Sequence, residues 1–145
     1  MNSSEKTGIA PTISIANRQP RFLLVDEEGI ISVYVQLIKQ CYWNGNTTTV
    51  SNGSDALKVV ETNKENPFDV IICGNTLGNS CPIIGIDVLR IARQQFPQAA
   101  LFMFATAPSL EVRKELIELK ATFRMNPVPI AEIRGLIAEA LLKVK

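Results

Sequence analysis

The chain has 145 residues, 46% of them hydrophobic and 20% charged, which suits one globular domain with a sizeable core. A net charge of +1 gives no sign of a nucleic-acid or acidic-substrate partner, and the lack of any histidine excludes a Ser-His or Cys-His pair and any histidine metal ligand. No apolar run nears the roughly 20 residues that span a bilayer, and the N-terminal sequence lacks the charged-then-apolar order of a signal peptide. Cys41, Cys73 and Cys81 are odd in number, match no metal-ligand spacing, and read as free thiols of a reducing cytoplasm.

Residues 1–20 are polar without a sustained period and read as a flexible tail, leaving 21–145 as the domain. An apolar run, Phe22 to Val25, precedes a helix with Ile30, Tyr34, Leu37, Ile38 and Cys41 on one face. Residues 46–50 (Asn-Thr-Thr-Thr-Val) suit a polar edge strand, and Asn52-Gly53-Ser54 can cap a second helix that buries Ala56, Leu57 and Val60. After the apolar run 70–73 comes a third helix with Ile86, Leu89 and Ala92 inward, stopping before Pro97. The run 101–105 leads to a fourth helix after Pro108-Ser109, expected to turn Leu110, Leu116 and Ile117 inward. The fifth shows Ile130, Ile133, Leu136, Ile137, Ala140 and Leu141 at helical spacing.

Runs 22–25, 70–73 and 101–105 are almost wholly apolar, as parallel strands covered on both faces should be. Alternation of strands and helices predicts a doubly wound α/β fold, with any site at the carboxyl ends of the strands. The strand ends at Asp26, Gly74 and Thr106 should converge on one pocket.

Four landmarks in order define a resemblance. Asp26-Glu27-Glu28 ends the first apolar run, Gly74 the third and Thr106-Ala107 the fourth, while Asn126-Pro127 follows the fifth. This set resembles the receiver domain of two-component response regulators, from about Arg21 to Lys143. The resemblance implies a flavodoxin-like five-stranded parallel sheet of order 2-1-3-4-5 with five helices. It places Asp26 and Glu27 at the metal-binding acidic pair, Thr106 at the hydroxyl switch and Phe123 at the aromatic switch. Asp69, ahead of the third strand, is a boundary residue there and not the phosphoacceptor.

Three departures outweigh the matches. Gly74 stands where the family has its phosphoacceptor aspartate, and Asn126 where it has a lysine before the proline. The loop Asn75–Gly85, with Cys81 in it, is longer than the family's. Aspartyl phosphorylation needs a carboxylate nucleophile, a divalent ion and a cation on the departing oxygens. Glycine removes the first and asparagine the third, so one negative and one positive group are lost together. Two carboxylates alone offer Mg²⁺ a weak or vestigial site.

The expectation is a degenerate pseudo-receiver: a stand-alone, non-catalytic regulatory module in phosphorelay signalling that requires no cofactor. Its partner would be a histidine kinase, a phosphotransfer or effector protein, or a second copy through the face of helix four, strand five and helix five. The alternatives are a small phosphatase, which wants Asp-x-Asp where Asp26-Glu27-Glu28 stands, and a nucleotide or flavin binder, whose phosphate the acidic turn would repel.

Overall fold

The computed structural model describes residues 19–41, 46–75 and 83–143. The strands are β1 (Arg21–Val25), β2 (Asn46–Val50), β3 (Val70–Cys73), β4 (Ala100–Ala105) and β5 (Thr122–Met125). They are all parallel in the order β2-β1-β3-β4-β5. The helices are α1 (Glu28–Cys41), α2 (Gly53–Thr62), α3 (Gly85–Gln95), α4 (Leu110–Glu118) and α5 (Ile130–Lys143). The order and alternation are those expected, with the polar β2 at an edge.

Alternation along the strands explains their unbroken apolar character. Phe22, Leu24, Val70, Ile72, Phe102 and Phe104 meet α1 and α5 on one face. Leu23, Val25, Ile71, Cys73, Leu101 and Met103 meet the helices on the other. Each such side chain, fully withdrawn from water, contributes about 1.5–3 kcal/mol before entropy is charged against it. Cys73 is fully buried, and its thiol is pushed far above the ordinary range by burial and then by the charge of Asp26.

Caps fix where the helices begin. The Asn52 side chain accepts from Asp55 N–H at 2.8 Å and that of Ser109 from Val112 N–H at 3.2 Å, so α2 and α4 start where their sequences predict. Arg90 forks onto Glu115, with Nη2 at 2.8 Å, and reaches Asp87 at 3.0 Å, tying α3 to α4.

Two inward expectations fail. Leu110 is 68% and Ile117 76% exposed, and α4 is held instead by buried Leu116 with Val112 and Leu119 packed beside it. Ile130, in the first turn of α5, is 51% exposed, while Ile133, Ile137, Ala140 and Leu141 are buried as expected. Except for Gln19 and Pro20, the predicted tail lies outside the described residues, as does the loop at 76–82 with Cys81. No helix among the described residues is long and apolar enough to cross a membrane.

Candidate functional site

Asp26 follows the last residue of β1, and its N–H donates to Val50 O at 3.3 Å. Its side chain turns inward, leaving the residue 6% exposed, and Oδ1 accepts from Glu27 N–H at 2.8 Å. Burial pushes this carboxyl above its ordinary range; the Glu27 N–H opposes that shift and the Glu27 charge adds to it. Glu27 itself is exposed.

Gly74 follows β3 and lies beside the tip of β1, its N–H donating to Val25 O at 2.9 Å. A Cβ built on Gly74 would stand 2.7 Å from Asp26 Oδ2 and 2.8 Å from Oδ1. The Asp26 carboxylate therefore occupies the space in which a side chain at 74 would begin. On its other flank Gly74 meets the first turn of α3, where a Cβ on Gly85 would fall 1.8 Å from Gly74 O. Gly85 N–H donates to Asn75 O at 2.8 Å, which holds the two backbones together. Asn75 Oδ1 is buried and has no hydrogen-bond partner among the described residues. Gly85 escapes sequence reasoning because its need for a bare Cα arises only from contact with Gly74.

The other two strand tips differ in character. Asn126 N–H donates to Ala105 O at 2.9 Å and its amide Nδ2 to Phe104 O at 3.2 Å, so the side chain is spent on the backbone of β4. The Asn126–Pro127 peptide is cis. Thr106 is exposed, and with Asn126 it borders a groove of about 600 Å³. The walls of that groove are largely apolar: Ile30, Val33 and Tyr34 from α1, Val128 just ahead of α5, and Ile130 and Ile133 from its start. Tyr34 packs edge-on to Phe104 at 5.9 Å, and its hydroxyl is pushed up to about 12 by burial and then by the charge of Asp26.

The structure thus joins Asp26 to Gly74 and Thr106 to Asn126, and the groove beside the second pair has neither Asp26 nor Gly74 in its walls. Among the described residues the strand ends fall into two groups, Asp26 against Gly74 and Thr106 with Asn126 beside the groove. Phe123 lies on β5 opposite Met103, partly buried, with the Arg113 guanidinium carbon 5.4 Å from its ring centroid. Asp69 lies at the far end of β3, where its carboxylate accepts from Arg21 N–H at 2.7 Å and its own N–H donates to Arg21 O at 2.8 Å.

Mg²⁺, which the receiver resemblance implies, needs near-octahedral oxygen ligands. Asp26 and Glu27 offer two carboxylates, one already engaged by a backbone N–H. No cluster of three or more Asp, Glu, Cys or His side chains occurs among the described residues. The donor set is a poor fit to a resident Mg²⁺.

No family model matches the chain, and no curated protein does. Solved structures do. A CheY-like response regulator receiver domain protein from Methanospirillum hungatei superposes with a TM-score of 0.73 at 20% identity, covering 86% of this chain and 95% of that one. The fold is the receiver fold. The signal receiver domain of a putative LuxO repressor protein from Vibrio parahaemolyticus gives 0.70 at 24% identity over 87% and 92% of the two chains. A response regulator receiver protein from Sinorhizobium medicae gives 0.73 at 18% over 88% and 98%. This receiver fold carries glycine and asparagine at positions 74 and 126, with the Asp26 carboxylate turned against the first of them.

Proposed function

We propose that this chain is a phosphorylation-independent regulatory module that binds a protein partner in cytoplasmic two-component signalling. It catalyses nothing itself and requires no cofactor. The observation that carries this reading is the Asp26 carboxylate standing 2.7 Å from where a side chain at 74 would begin. Position 74 offers no nucleophile, the Asp26 carboxylate lies against it, and Asn126 supplies an amide in place of a cation. With no phosphoryl group to draw Thr106 inward, signalling rests on association.

Two surfaces suit a partner. One is the apolar groove between α1 and the start of α5, where Val33 and Ile130 are each about half exposed. The other is the α4–β5–α5 face, on which Leu110 and Ile117 stand two helical turns apart and Met125 is 58% exposed. A histidine kinase, a phosphotransfer or effector protein, or a second copy is the partner class that fits; nucleic acid and membrane are not. Mg²⁺ would bind at Asp26 and Glu27 no tighter than roughly millimolar.

Intact-protein mass spectrometry after incubation with acetyl phosphate and Mg²⁺ tests this directly. The expected spectrum shows no gain of a phosphoryl group. A stoichiometric, acid-labile adduct would overturn the reading and reveal another acceptor.

A further inference from the structure

The β2 edge carries an inference independent of the functional reading above. Asn46 N–H donates to Pro20 O and Val50 O accepts from Asp26 N–H, so residues 46, 48 and 50 turn their peptide groups toward β1. Thr47 and Thr49 consequently turn theirs outward. They form two amide–carbonyl pairs on a strand with no proline or charge to blunt it. Register places these two threonines beside Phe22 and Leu24, on the face that α1 covers. A groove of about 540 Å³ runs between α1 and this edge, with Ile31 and Val35 among its walls and Lys39 and Thr49 at its sides.

The chain carries a segment that suits both edge and groove. Thr12-Ile13-Ser14-Ile15-Ala16 alternates apolar with small or polar residues, a period-2 pattern too short to stand as an element alone. Pro20 already lies against Asn46 at the start of β2. The position outside β2 is two strand spacings from β1, about 10 Å. Asn17, Arg18 and Gln19 join Ala16 to Pro20 and reach about 13 Å, so the span can be closed only by a chain running antiparallel to β2. Side chains two apart on a strand are separated by about 7 Å, and Ile31 and Val35, one helical turn apart, by about 6 Å along α1. Tethering also gives this segment a high effective concentration that no free peptide would share.

We propose that Thr12–Ala16 adds to the outer edge of β2 as an antiparallel sixth strand, seating Ile13 and Ile15 in the α1–β2 groove. Residue-resolved amide exchange by NMR on the full chain tests it, compared with the doubly substituted chain Ile13→Asp, Ile15→Asp. The Thr47 and Thr49 amides should exchange at least about tenfold more slowly in the parent chain. Equal rates in the two chains would overturn the proposal. Protection that grows with protein concentration would assign the edge to a second copy and overturn it as well. A measurement that needs no substitution stands beside this one. Nuclear Overhauser contacts between the methyls of Ile13 or Ile15 and those of Val35 should appear in the parent chain, and their absence would also overturn the assignment.

Discussion

At the tips of β1 and β3 the molecule is packed tightly, Asp26 against Gly74 and Gly74 against Gly85. The tips of β4 and β5, a few ångströms along the same sheet edge, leave an apolar groove of about 600 Å³. In a phosphorylatable receiver the two pairs of tips would serve one reaction. Here the first pair is closely packed and the second borders an open groove, so two stretches of one sheet edge differ in the room they leave. The packed half should answer to substitutions that change volume by a single carbon. The open half should tolerate them.

Gly85→Ala is the harshest test of that contrast. Its new methyl would fall 1.8 Å from a backbone oxygen, which cannot swing away, so α3 must shift along the sheet. A loss of about 3 kcal/mol or more is expected in urea unfolding. A loss near zero would mean that the α3–Gly74 contact is soft.

Gly74→Ala should come next, at about 1–3 kcal/mol, because its methyl meets a side chain that can rotate. The obstacle is the Asp26 carboxylate, so Gly74→Ala measured on an Asp26→Ala background should cost less. A coupling of about 1 kcal/mol between the two positions is expected, and strict additivity would break the claim that Asp26 fills the space.

Asp26→Asn should stabilise the protein by a few degrees in Tm at neutral pH. The sign follows from the raised carboxyl. A group that holds its proton more readily folded than unfolded costs stability where it is charged, and that cost fades as the pH falls through its folded pKa. The advantage of the asparagine variant should therefore shrink in acid and vanish below the ordinary carboxylate value of 3.8. Thermal melts of both chains across that range would show a constant gap if Asp26 were unperturbed.

Ile130→Ser, in the groove wall, should change the unfolding free energy by no more than about 0.5 kcal/mol, since the side chain is half exposed. A loss approaching that of Gly74→Ala would mean that the open half is part of the core.

Much of the fold was legible because strands covered on both faces cannot hide their composition. Val70-Ile71-Ile72-Cys73 and Leu101–Ala105 admit almost nothing polar, and Asn52 and Ser109 announce their helices by the hydrogen bonds they can make. α4 was harder to read because it offers two apolar stripes, Leu110 with Ile117 and Val112 with Leu116 and Leu119. Nine residues are too few for periodicity to favour one, and contact with the sheet decided for the second. Ile130 misled for a related reason, since the first turn of α5 stands beyond the edge of the core. Within the site, the residue types at 74 and 126 were legible as departures from the receiver pattern. The close packing at Gly74 did not show, because it depends on how one aspartate side chain turns and on where a distant glycine approaches.

Cys73 gives this sheet a built-in recorder. Thiols react as thiolates, and this one is fully buried with its ionisation driven far upward, so in the closed structure it is both out of reach and in the wrong protonation state. An alkylating reagent can modify it only when the middle strand comes away from its neighbours. The slow accumulation of label at this single sulfur, read peptide by peptide, would count those openings in a native, unperturbed population. It would time an opening of the middle strand without any change to the sequence.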